Sequence, residues 1–153
     1  MTTDLARKQL ERRIAPLRNM ESSLARPPRG WIKAIREALG MTTRQLAMRL
    51  GVAPSRIPAI EKGEVHGSLT LQSLREAAEA LDCRLVYALV PRKPLEELLR
   101  ERARAYASER LQSIHHTMHL ENQAMEGEDF EAERERLIDD LIKNDLRHLW
   151  SQL

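Results

Sequence analysis

Residues 42–63, TTRQLAMRLGVAPSRIPAIEKG, decide the fold. Leu46, Ala47 and Leu50 recur at helical spacing and share one face. Thr42 or Thr43 stands where an N-cap hydroxyl would close the first helix, whose first-turn amides then suit a phosphate. Ala47 is small where a second helix would cross closely. Gly51 supplies the turn, Val52 plugs it, and Pro54 suits the first position of the next helix. Ile57 and Ile60 face back to the core, which leaves Ser55, Arg56 and Ala59 outward, and Lys62 with Gly63 reads as the helix end. Pro58 removes an amide inside the second helix and crowds the carbonyl of Pro54, so a bent or irregular start is expected. Two helices across a tight turn, the second with an outward polar edge, form the helix-turn-helix arrangement, whose second helix enters the DNA major groove.

The spacing resembles the Cro and phage-repressor class, matched here at Leu46, Ala47, Gly51, Val52, Ile57, Ile60, Glu61 and Gly63. Thr43 departs from that pattern, which usually has Gln at the first position of the leading helix. On this reading Ser55, Arg56 and Ala59 face base edges of a double-stranded operator, and Thr43, Arg44 and the amides near them meet phosphate.

Charge supports the same half of the chain. Residues 1–60 carry 12 Lys/Arg and 4 Asp/Glu, a net +8, whereas residues 117–153 carry 4 and 10, a net −6. The basic half suits a polyanion and the acidic end a basic partner or solvent. The 153 residues allow one or two small domains, and five aromatics leave a mostly aliphatic core. No apolar run approaches membrane-spanning length and no apolar signal segment leads the chain, so a cytoplasmic protein without membrane contact is expected. The single cysteine, Cys83, excludes an internal disulfide and a cysteine-rich zinc site.

Outward from the motif, the pattern predicts a mainly α fold. Residues 4–25 read as a helix with Leu10, Ile14, Leu17 and Leu24 on one side, interrupted at Pro16. Residues 31–39 form the next helix, with Trp31, Ile32, Ile35 and Leu39 as a buried stripe. Residues 69–81 follow the motif, with Leu71, Leu74, Ala78 and Leu81 inward. These five helices make a bundle. The run 83–90, CRLVYALV, begins at Cys83, ends at Val90 before Pro91, and has strand composition. A single strand has nothing to pair with in such a bundle, so pairing with the same run of a second copy, a homodimer, is expected; the alternative is an extended linker. Residues 1–92 are thus a DNA-binding and dimerisation domain.

Residues 93–153 read as a pair of helices. The first runs from Leu95 to about Glu121. The second runs over 130–150, with Leu137, Ile138, Leu141, Ile142, Leu146 and Leu149 on a broad face that predicts a partner surface; the alternative is packing onto the chain's own N-terminal helix. Residues 117–122, TMHLEN, place Thr117 and Glu121 four apart on one helix face, with Asn122 able to end the helix in a left-handed conformation.

That hexad resembles the inhibitory helix, Ser/Thr-x-x-x-Glu-Gly/Asn, of antitoxins that silence Fic-domain enzymes. Residues 5–93 also resemble the mobile mystery protein A family, most tellingly in PPRGWIKAIREALGM and TLQSLREAAEALDCRLVYALVPR; members are encoded beside a Fic-domain protein. The resemblance implies an antitoxin that represses its own operon and inhibits a Fic-domain AMP-transferase. Thr117, Glu121 and Asn122 would be inhibitory, Glu121 taking the arginine that otherwise holds the ATP γ-phosphate. Ile114, Met118, Leu137 and Leu141 would dock the toxin. The alternative is a stand-alone repressor whose C-terminal helices only oligomerise. His115, His116 and His119 lack any supporting Cys or HExxH pattern, so no metal is assigned. With no Gly-rich phosphate loop and no catalytic set, neither a cofactor nor an enzymatic activity is expected.

Overall fold

The computed structural model describes residues 2–120 and 127–151. Among the described residues seven helices run in order: α1 Thr2–Arg18, α2 Trp31–Ala38, α3 Thr43–Leu50, α4 Arg56–His66, α5 Leu71–Ala80, α6 Leu95–Leu120 and α7 Gly127–Asn144, with a closing 3₁₀ turn at His148–Trp150. The chain divides into two compact units. Asn19–Leu89 holds α2 to α5; Met1–Arg18 and Val90–Leu153 hold α1, α6, α7 and the 3₁₀ turn. The sequence-based division at residue 92 assigns α1 to the other part of the chain.

In the first of these units Ile32, Leu46, Ala47, Ile57, Ala77, Ala80 and Leu81 form the buried core, with Ile35, Leu50, Val52, Ile60, Leu69 and Leu74 packed around it. Leu46 and Ile57 are wholly enclosed. The helix-turn-helix face is therefore as its spacing predicts. Other expectations need correction. Trp31 and Leu39 are exposed, and on α2 the buried partner of Ile32 is Arg36. Leu71 is exposed and Ala77 and Ala80 are buried, a shift in the phase of the α5 stripe.

Gly63 does not end α4. The helix continues to His66 and closes at Gly67, which takes the left-handed conformation at φ 72°. Gly63 lies inside the helix because a Cβ there would sit 2.9 Å from Leu69 Cδ2. Close packing and helix termination both favour glycine, so sequence alone does not separate them.

The expected strand at residues 83–90 is absent, and none occurs among the described residues. The last backbone bond into this run is Cys83 N–H to Ala78 O at 2.8 Å; residues 84–90 make no backbone hydrogen bond among the described residues. β-propensity describes how side chains fit a pleated surface, and one chain offers no neighbouring strand to make that surface.

In the other unit, α6 and α7 pack along Ala103, Ala107, Ile138, Leu141 and Leu149, with Leu99, Tyr106, Leu137, Ile142 and Leu146 half-buried around them. Ala103 and Ala107, one turn apart, let the two helices approach closely. The broad apolar face of α7 is thus covered within the chain. α7 begins at Gly127 rather than Phe130 and stops at Asn144. α1 ends two residues after Pro16, and Leu10 and Leu24 are exposed, leaving Ile14 as its buried residue. Glu11 of α1 accepts the Leu95 amide at 3.0 Å and bonds Arg18, whose guanidinium donates to the carbonyls of Pro91 and Lys93. That carboxylate caps the amide end of α6. The Arg18 hydrogen bond first, then the Leu95 amide, holds the Glu11 carboxyl below its ordinary value of 4.5. No helix among the described residues is long and apolar enough to cross a membrane.

Candidate nucleic-acid interface

α3 starts with a reciprocal cap. Thr42 Oγ1 accepts the Gln45 amide at 3.2 Å, and Gln45 Oε1 accepts the Thr42 amide at 2.8 Å. This closes the end while leaving the Thr43 and Arg44 amides without an acceptor among the described residues. Unpaired donors at the positive end of a helix dipole are an arrangement that favours an anion. Gly51 closes α3 at φ 68°, and Val52 N–H returns to Ala47 O at 3.0 Å, fixing the turn.

α4 begins differently. Arg56 N–H bonds Ala53 O at 3.0 Å and Ile57 N–H bonds Pro54 O at 3.2 Å, so the chain enters the helix through a tight i→i+3 turn. Pro58 is the third helical residue, where an amide would have no intrahelical partner, so it breaks no helical bond. Its cost is the irregular start that the sequence predicts. The Ser55 hydroxyl makes no cap bond. Ser55, Arg56 and Ala59 all lie exposed on the outer side of α4, opposite the wholly buried Ile57. Arg44 is exposed on the first turn of α3, and Thr43 is half-buried. Neither Arg44 nor Arg56 has an ion-pair partner among the described residues.

The two carboxylates of α4 itself are buried. Residues 38–60 contain no Asp or Glu. The first acidic residue after them, Glu61, is buried and accepts Arg36 Nε at 2.6 Å; the same guanidinium donates to Met41 O at 3.0 Å. The Glu61 hydrogen bond holds the Arg36 guanidinium above its ordinary value. Glu64, also buried, accepts the Trp31 amide at 2.7 Å and the Ile32 amide at 2.9 Å. It caps α2 from α4. Gly30, the N-cap residue at φ 87°, makes room for it, since a Cβ there would lie 2.7 Å from Glu64 Oε2. Two carboxylates that would repel a polyanion are instead used to hold α2 against α4. Glu61 was visible in the motif pattern but its partner was not. Glu64 gives no signal in sequence beyond its spacing from Glu61.

The tail positions lie elsewhere. Thr117 is exposed near the end of α6, its hydroxyl donating to Ser113 O at 3.1 Å. Ile114 is exposed, 46%, on the same helix, and Met118 lies on it as well. Leu141 is buried and Leu137 half-buried in the α6–α7 core. Glu121 and Asn122 lie outside the described residues. No group of three or more His, Cys, Asp or Glu is placed to hold a metal among the described residues.

A helix-turn-helix family pattern, of the Cro/C1 type, matches residues 32–87. No curated protein and no solved structure matches the chain. Residues 32–87 are a DNA-binding helix-turn-helix domain of a regulator.

Proposed function

We propose that the chain is a sequence-specific repressor that binds duplex DNA as a two-fold pair and also inhibits a Fic-domain AMP-transferase. The observation that carries the DNA reading is the face made by α3 and α4. It combines free amides at Thr43 and Arg44, unpaired Arg44 and Arg56, and inward-turned Glu61 and Glu64. Phosphates seat on α3 and bases meet Ser55, Arg56 and Ala59. Selection of bound duplexes from a random pool tests it: a recurring sequence supports the reading, and recovery of unselected DNA opposes it.

The Fic reading rests on sequence. The hexad 117–122 and the likeness of residues 5–93 to mobile mystery protein A support it. Glu121 would pair with the arginine that binds the ATP γ-phosphate, and an occupied arginine leaves the nucleotide out of line for transfer. Because Leu137 and Leu141 serve the intramolecular core, docking rests on Ile114 and the exposed side of α6. Glu121→Gly should release AMP transfer in a complex that still co-purifies. A complex that stays silent while the freed enzyme is active would leave the stand-alone repressor, or simple steric blockade, as the better reading.

A further inference from the structure

We infer that the outer face of α4 reads thymine through its methyl group, with Pro54, Pro58 and Ala59 as the side chains that meet it and Arg56 as the one that takes guanine. The inference deepens the repressor reading and rests on it. Positions 53–59 are Ala, Pro, Ser, Arg, Ile, Pro and Ala. Ile57 is wholly buried, and the other six are exposed. Four of those six, Ala53, Pro54, Pro58 and Ala59, carry neither a donor nor an acceptor on the side chain. Pro54 and Pro58 also lack the backbone N–H. The carbonyls of Ala53 and Pro54 are engaged by the Arg56 and Ile57 amides, at 3.0 and 3.2 Å.

What such a face can distinguish follows from the groove it enters. Base pairs offer guanine N7 and O6, adenine N7 and N6–H, cytosine N4–H and the thymine C5 methyl. Bidentate recognition of adenine uses Asn or Gln, and cytosine is met by a carboxylate; residues 53–59 contain none of these. Arg56, exposed, suits the two guanine acceptors. Pro54 and Pro58 stand one helical turn apart with Arg56 between them, and Ala59 adjoins Pro58. An apolar surface gains by covering a methyl and loses by covering a polar edge that it cannot satisfy. Ala and Pro also lose no rotamer freedom on contact, so a small covered area is not offset by ordering. The half-site therefore sets a guanine beside thymines. The irregular start that Pro58 imposes on α4 accompanies a second ring on the reading face.

The test alters the DNA rather than the fold. In a duplex selected from a random pool, deoxyuridine in place of one thymidine removes only the methyl. At one or more half-site positions it should weaken binding of the full chain, read by fluorescence anisotropy, by about fourfold for each covered methyl. 7-Deazaadenine in the same base pair removes the acceptor that Asn or Gln would use, and should leave affinity unchanged. Pro54→Ala, Pro58→Ala or Ala59→Gly should shrink the uracil penalty at the position each side chain covers, which an effect of uracil on DNA shape alone would not do. Binding indifferent to uracil at every position, a penalty from 7-deazaadenine but none from uracil, or a uracil penalty equal in the parent chain and all three variants overturns the inference. These outcomes are separable from failure of the repressor reading. A recurring sequence that ignores the methyl removes methyl reading alone, whereas a pool that yields no recurring sequence removes both.

Discussion

The two units differ in what they do with their carboxylates, although both also pair charges on the surface, as Arg29 with Glu37 and Arg49 with Asp82 do in Asn19–Leu89. In Asn19–Leu89, with ten Lys/Arg against seven Asp/Glu, Glu61 and Glu64 are buried and two arginines of the outer face, Arg44 and Arg56, are unpaired. In the other unit, with 15 Lys/Arg against 16 Asp/Glu, the core is apolar. There the surface charges are set against each other: Arg7 with Asp4 and Glu96, Arg100 with Asp139, Lys93 with Glu97 and Glu101, Arg134 with Glu131. Exposed pairs of that kind add about 0–1 kcal/mol each and use up their own cations. Unpaired arginines beside inward carboxylates present net positive potential to a polyanion. The difference separates a unit built to recognise DNA from one whose surface is electrically balanced.

The largest effect that could break this comparison is on stability. Glu61→Ala removes the buried carboxylate from the Arg36 guanidinium, leaving it Met41 O and the longer pair with Glu37, and should cost up to about 3–5 kcal/mol in the helix-turn-helix unit. The chain's two tryptophans report separately, Trp31 from that unit and Trp150 from the other. In urea the transition seen with Trp150→Phe, which leaves Trp31, should move far more than that seen with Trp31→Phe. Ile138→Ala empties a fully enclosed site between α6 and α7 and should cost about 2–5 kcal/mol, with the reverse pattern. If both substitutions shift both probes equally, the units are not separate in stability.

Gly30→Ala is a smaller test of the same frame. It adds a Cβ 2.7 Å from Glu64 Oε2 at a backbone angle suited to glycine, and should cost about 1–3 kcal/mol. Glu64→Gln keeps the shape and one acceptor and should cost less; the reverse ranking would mean that charge rather than fit secures α2.

How much of this was legible in sequence depends on the distance over which each interaction acts. Thr42, Gly51 and the spacing of Leu46, Ala47 and Ile57 are local signals, and they gave the helix-turn-helix and its outward residues. Gly63 was misread because helix termination and a close contact with Leu69 select the same residue. The inward turn of Glu64 depends on amides 32 and 33 residues away in α2. Glu11 meets the start of α6 across 84 residues, which no periodicity in α1 announces. The α7 face looked like a partner surface because the pattern shows that a stripe must be covered, not by what. Ala103 and Ala107, small and unremarkable in sequence, make α6 the cover.

Acid sensitivity is the smallest effect and belongs to the balanced unit. The Glu11 carboxyl is held below 4.5 in the fold by Arg18 and the Leu95 amide. A depressed folded value means that its contribution is present above about pH 4.5 and fades as pH falls through the lower folded value. Thermal unfolding followed at Trp150 should show less loss on acidification for Glu11→Gln than for the parent chain. Equal loss would remove Glu11 as the cap of α6.

The most direct test of the central claim is the affinity of Arg56→Ala for a selected duplex and for random duplex, measured by fluorescence anisotropy at matched salt. Arg56 is exposed and unpaired, so its removal should leave folding stability within about 0.5 kcal/mol. A lost base contact of about 1–3 kcal/mol predicts roughly 5- to 150-fold weaker binding to the selected sequence. Random duplex should lose far less, and its salt dependence should change little. Equal losses on both duplexes, or no loss on either, would contradict the assignment of α4 as the helix that reads bases.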